Sequence, residues 1–164
     1  MRNITYKEYE DFKRIVLEII KTDKFKSMKD IKQHRFANCY EHSINVATKC
    51  FILSRRLNLK VDLTSLIRGA LLHDFYLYDW RENKKQHLNH GYVHPKIALE
   101  NARKEFGELN KIEEDIILSH MWPVTFFRFP RYKESYLVCF SDKICAMKEF
   151  FGSTRDKRLN KKLK

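Results

Sequence analysis

Leu71-Leu72-His73-Asp74-Phe75-Tyr76 is the stretch on which the reading of this chain turns. Leu66, Ile67, Ala70 and Leu71 precede the His-Asp pair and are almost wholly apolar. The pattern predicts a largely buried helix from Leu63 to about His73, capped by Asp62 or Thr64 and interrupted at Arg68-Gly69. Such a helix carries a histidine and an aspartate deep into the protein. Buried without partners, they would cost several kcal/mol, so a metal or a hydrogen-bond network must meet them. Adjacent helical residues point about 100° apart. The two converge on one point only if the helix ends there and an ion gathers them. Imidazole and carboxylate suit Fe, Mn, Zn or Mg. With 7 histidines among 164 residues, chance alone yields about 0.4 His-Asp dipeptides in this composition, so the pair decides nothing unless the chain supplies matching ligands.

Working backward, His34-Arg35-Phe36-Ala37-Asn38-Cys39-Tyr40-Glu41-His42 leads into a helix from near Asn38 to about Leu57, with His42 in its first turns. Ile44, Val46, Cys50, Phe51 and Leu53 mark its buried side. Earlier still, Thr5 and Glu8 form a capping box. Tyr9, Phe12, Val16, Ile19 and Ile20 follow at helical spacing. Ser27 with Asp30 suggests a short helix towards Gln33.

Working forward, Tyr76 to Asn89 reads as a polar and aromatic loop, of the kind that forms a lid. Pro95 suits the first position of a helix running to Phe106, with Gly107 as its C-cap. His94 then stands at a helix entrance, with His90 one turn earlier. A helix from Lys111 ends at His120, before Pro123. Val124 to Arg131 is a Phe-rich loop, read as a plug or a substrate-contacting wall. The last long helix spans Glu134 to Phe151, and Asp142 inside it is a lone carboxylate among apolar neighbours that needs a partner.

Composition sets the frame. A chain of 164 residues suits one domain with one core. We expect a helical domain over residues 1–152 and a flexible basic tail over 153–164. Only 4 Gly and 3 Pro are present, which favours helices over tight turns, and strand signals are minimal. The fold class is therefore all-α, a compact bundle of about six or more helices. The net charge of +12 points to anionic partners. Phosphorylated metabolites or nucleotides come first and nucleic acid second. Cys39, Cys50, Cys139 and Cys145 form no CxxC pair and read as reduced, buried thiols. No run approaches the ~20 apolar residues of a membrane span and no signal peptide opens the chain. A soluble, cytoplasmic protein without a membrane partner is expected; its oligomeric state is not legible.

The ordered series His42, His73-Asp74, His94, His120 and Asp142 resembles the HD-domain superfamily of metal-dependent phosphohydrolases, whose pattern is H…HD…D. Its extra histidines resemble the two-metal branch, H…HD…H…H…D. The likeness covers roughly Tyr40 to Glu149, and His94-Pro95-Lys96-Ile97-Ala98 looks like that branch's third-histidine segment. The resemblance implies that His42, His73, Asp74 and Asp142 hold one ion, and that Asp74 bridges to a second held by His94 and His120. Two such ions clamp a phosphoryl group and activate water. Two divalent ions are therefore expected, Fe or Mn first, with Zn, Ni or Mg open. Asp74, His73 and Lys143 are the catalytic candidates. Arg68, Lys143, His90 and His34 are the candidate substrate contacts, and His90 is the alternative ligand to His94.

Leu77 departs from the pattern. Cyclic-dinucleotide phosphodiesterases of the two-metal branch carry a lysine there and a Gly-Tyr-Pro signature. Some single-metal nucleotidases carry a glutamate there, a role that would pass to Asp79. The expected activity is hydrolysis of a phosphate ester of a small metabolite or nucleotide. The alternatives are a di-iron oxygenase on the same fold and a basic helical nucleic-acid-binding module.

Overall fold

The computed structural model describes residues 2–34, 37–79 and 84–151, without the side chains of 34 and 84–89. Among them the chain is all-α, 69% helical with seven helices and two short strands. The order is α1 (Tyr6–Ile20), α2 (Asp23–Ser27), a single 3-10 turn (Met28–Asp30), β1 (Lys32–His34), β2 (Ala37–Asn38), α3 (Cys39–Arg56), α4 (Leu63–Leu72), α5 (Lys84–Phe106), α6 (Lys111–Ser119) and α7 (Lys133–Phe150). The basic tail lies outside the described residues.

Helix α4 is the axis of the bundle, packed against α1, α3 and α6. Its starting carboxylate, Asp62, accepts from the Ser65 amide at 2.9 Å, an N-cap that satisfies an otherwise orphaned donor. Leu66, Ile67, Ala70, Leu71 and Leu72 are fully buried. Burying each large side chain is worth about 1.5–3 kcal/mol, so this sequence is stable only with helices around it. Gly69 makes that enclosure tight. A Cβ built there would stand 2.6 Å from Ile116 Cδ1, so α4 and α6 approach more closely than any side chain at 69 allows. Helix α1 opens with the Thr5–Glu8 capping box, and its Phe12 stacks on Phe51 of α3 at 4.4 Å.

Four local expectations are corrected. The helix from Ser27 towards Gln33 is cut to the single 3-10 turn Met28–Asp30, which Ser27 precedes without a side-chain cap. Thr22 caps α2 through the Phe25 amide instead, and after the 3-10 turn the chain enters β1, antiparallel to β2. The stretch to Asn89 is not all loop, because α5 begins at Lys84. Pro95 therefore lies inside α5 rather than at its start. Having no N–H, it leaves the Gly91 carbonyl without its helix bond, while Nδ1 of His94 donates to the neighbouring His90 carbonyl at 2.7 Å. Residues 80–83 of the expected lid lie outside the described residues. The Phe-rich loop is no plug, since Phe126 is 71% and Phe127 97% exposed. Gly107 closes α5 at φ +77°, a left-handed cap that glycine adopts without strain.

Candidate metal centre

Five helices deliver six side chains to one point. His42 comes from the first turn of α3 and His94 from the middle of α5. His73 and His120 are the C-cap residues of α4 and α6. Asp74 follows His73, and Asp142 lies midway along α7. Both C-cap positions follow from the sequence: an apolar helix that stops at a histidine holds its ring at the core's edge. Asp142 is the most accessible of the six, with its side chain 13% exposed against 3% or less for the others.

Asp74 stands at the middle with its two oxygens facing different pairs. Oδ2 lies 3.3 Å from His73 Nε2 and 3.8 Å from His42 Nε2. Oδ1 lies 3.2 Å from His94 Nε2 and 3.4 Å from His120 Nε2. Asp142 Oδ1 closes the first side, 3.0 Å from His42 Nε2 and 3.8 Å from His73 Nε2. The two histidines of the second side face each other, Nε2 to Nε2, at 2.8 Å. Two triads have ligand atoms within 4.8 Å of one another: His42, His73, Asp142, and His73, Asp74, His120.

The backbone sets the tautomers. Nδ1 of His73 faces the Ala70 carbonyl at 2.7 Å, Nδ1 of His94 the His90 carbonyl at 2.7 Å, and Nδ1 of His120 the Ile117 carbonyl at 2.8 Å. A carbonyl only accepts, so each Nδ1 carries a proton, and in the neutral form of each ring a bare Nε2 lone pair turns inward. Carboxylate oxygens are acceptors too. Lone pairs therefore meet lone pairs, and His73 Nε2 and Asp74 Oδ1 are buried with no hydrogen-bond partner. Natural interiors rarely leave such groups unmet. Cations resolve the conflict, and ligand atoms about 2.1 Å from one ion lie about 3.0–3.4 Å apart, as most of these do. The donor set and the orphaned atoms fit divalent metal.

Titration directions describe the same convergence. Burial opposes charge on His42, but the hydrogen-bonded Asp142 and Glu149 outweigh it and hold the ring's pKa well above its ordinary value. His73 is likewise raised, with burial outweighed by Asp74 and Asp142. Burial opposes charge on Asp74 as well, yet His73, with His120 and His94 close by, holds the carboxyl well below its usual range. Asp142 is brought down to about 2, with His42 overcoming burial. His120 is lowered, burial being its largest influence.

Sequence reasoning missed the layer behind these six. Glu149 accepts from His42 Nδ1 at 2.8 Å and from Asn45 Nδ2 at 3.0 Å. Gln33, on β1, donates Nε2 to Asp74 Oδ2 at 2.5 Å. Its Oε1 accepts from the Tyr76 hydroxyl and, at 3.1 Å, from Cys39 Sγ. Leu77 adopts φ +56°, which L side chains seldom do. Asn101 secures that turn by donating to the carbonyls of Phe75 and Tyr76, each at 3.1 Å. Leu77 itself packs against the core.

The other candidates lie elsewhere. Arg68, expected at phosphate, instead bonds Glu113 at 2.6 Å. That carboxylate is nearly buried and requires a cation. Lys143 donates to the carbonyls of His120 at 3.0 Å and Cys139 at 3.3 Å. It thus supports the C-terminal end of α6, where cations are favoured. His90 stacks on His94 with centroids 4.4 Å apart, and its Nδ1 meets the Tyr78 hydroxyl at 3.0 Å. It belongs to neither metal triad. The His34 side chain lies outside the described residues. Asp79 is half-buried.

No curated protein and no solved structure matches the chain. A family model, the HD domain, matches residues 39–147. All six converging side chains fall inside that span. The chain belongs to the HD domain family, whose members are commonly metal-dependent hydrolases.

Proposed function

We propose that this protein is a phosphohydrolase with two divalent ions, acting on a phosphate ester of a small metabolite or nucleotide. The observation that carries the reading is the split of Asp74: Oδ2 towards His42 and His73, Oδ1 towards His94 and His120. One carboxylate placed so could serve both ions. His42, His73 and Asp142 would complete one ion's set, and His94 and His120 the other's. Mixed imidazole and carboxylate donors suit Fe or Mn. Bound at these ligands, divalent ions supply positive charge to a phosphoryl oxygen and the acidity that activates a water.

The chain's own part is positional. Asp74 is fixed by Gln33 from one side, and the histidine rings are fixed by backbone carbonyls or Glu149. This preorganisation means no group must reorient as charge develops on phosphate. Asp142, the most accessible of the six, marks the side from which a substrate phosphate would enter. The net charge of +12 favours an anionic substrate. Four free, buried cysteines accord with a reducing, cytoplasmic setting.

The test is metals per chain in tag-free protein beside Asp74→Ala and His120→Ala. Near two ions in the parent, few in Asp74→Ala and about one in His120→Ala are expected, with turnover on a panel of phosphomonoesters and phosphodiesters. One ion, unaffected by His120→Ala, would reduce the site to a single metal. Iron that cycles redox state while oxygen is consumed would replace hydrolysis with oxygenation.

A further inference from the structure

The outer face of α7 carries an apolar stripe that no described element covers. Tyr136, Phe140, Met147 and Phe150 recur at i, i+4, i+11 and i+14, all exposed, which is one face of a helix. At its N-terminal end the stripe meets the Phe-rich loop, where Phe126 and Phe127 project into solvent and Trp122 packs edge-on against Phe129. Exposed apolar side chains running along a helix face and into the adjoining loop are the kind of surface that marks an interaction site.

Charge on this segment is sorted. Between Met121 and Phe151 there are three carboxylates, and each has an inward partner. Glu134 accepts from the Asp62 amide, Asp142 faces His42, and Glu149 meets His42 and Asn45. Arg131, Lys133 and Lys148 are exposed, and Arg128 is half-exposed among the phenylalanines. In the sequence the stripe leads directly into residues 153–164, with six Lys/Arg against one Asp. Among the described residues from 121 to 151, the exposed side chains include phenyl rings and cations but no acid.

We propose that the loop 124–131 and the outer face of α7 form a docking surface for an anionic phospholipid bilayer. Protruding rings enter the headgroup boundary, and the flanking cations meet the negative leaflet. A second copy of this chain would oppose like charges across the same face. Single-stranded nucleic acid would use the rings for stacking, but Met147 and Val124 offer it nothing. The sequence-based expectation of no membrane partner rested on spanning segments, and no described helix is long and apolar enough to cross a membrane. Surface docking needs none. The proposal is independent of the metal reading.

The test is cosedimentation of the full chain with vesicles of phosphatidylcholine alone and of phosphatidylcholine mixed with phosphatidylglycerol, in low and high salt. Capture by the anionic vesicles alone, released by salt, is expected. The exposed pair Phe126→Ser/Phe127→Ser should weaken it about tenfold, and Arg131→Glu/Lys133→Glu should weaken it as well. Parent-like metal content and melting in both variants show that the fold is retained. Absence of capture overturns the proposal, as does equal, salt-indifferent capture by phosphatidylcholine. Self-association in sedimentation velocity that the Phe pair abolishes, without vesicle binding, would assign the face to a second copy. Preference for polyuridylate over every vesicle would assign it to nucleic acid.

Discussion

Glu149 accepts a hydrogen bond from Nδ1 of His42 at 2.8 Å, across 107 residues of sequence. The carboxylate stands behind a ring whose Nε2 faces Asp142. A carboxylate behind a ligating histidine fixes the ring and raises its basicity. Glu149→Ala should weaken metal affinity about 10–100-fold. Glu149→Gln keeps an acceptor and should lose less. Competition against a chelator measures both, and parent-like affinity in Glu149→Ala would remove the residue from the site.

Gln33→Leu tests the other support. The substitution deletes the donor to Asp74 Oδ2 and leaves the Tyr76 hydroxyl without Gln33 as acceptor. An unmet buried group costs about 1–3 kcal/mol, so the melting temperature should fall modestly. Loss of bound metal should be the larger effect, read by elemental analysis. A lower melting temperature with full metal content would make Gln33 structural only.

Gly69→Ala should destabilise the fold. Helix propensity favours alanine by about 0.5–1 kcal/mol. Against that, its Cβ would lie 2.6 Å from Ile116 Cδ1 and 3.0 Å from Ile116 Cβ, and overpacking of this kind costs about 1–3 kcal/mol. The second effect wins. Denaturant unfolding that shows a gain in stability would refute the close approach of α4 and α6.

All four cysteines should resist thiol reagents in the native state. Burial is the largest influence on three of them, pushing Cys139 up to about 11, Cys145 up to about 12 and Cys50 higher still. Cys39 is fully buried. The thiolate is the reactive form, so modification at neutral pH should be negligible until denaturant is added, when four equivalents react. Rapid labelling of the folded protein would contradict this burial.

The bundle was legible where local chemistry announces itself. The Thr5–Glu8 box, Asn38 before α3, Asp62 before α4 and Gly107 after α5 each satisfy a helix end from within a few residues, and those ends fall where they are read, although α5 starts earlier. Pro95 misled because proline at a helix start and proline inside a helix look alike without the preceding turn. The converging ligands were legible because polar groups at apolar helix ends and Asp142 within α7 demand partners. Glu149 could have been found, since it lies two turns after Asp142 on the same side of α7. Gln33 could not. It is no ligand type, and its contact to Asp74 spans 41 residues through a hairpin with no strand pattern. Arg68 had the charge for phosphate, but its partner Glu113 is 45 residues away and nothing local couples them.

Because the candidate ligands come from α3, α5, α7 and the ends of α4 and α6, metal held among them would staple together five helices that otherwise meet only through side chains. Whatever binds the native state and not the unfolded chain raises stability with its free concentration. The melting temperature of this protein is therefore a gauge of metal supply. In a metal-starved cell the same bundle should loosen first where those five helices meet, and its lifetime against proteolysis should shorten before any substrate is missed.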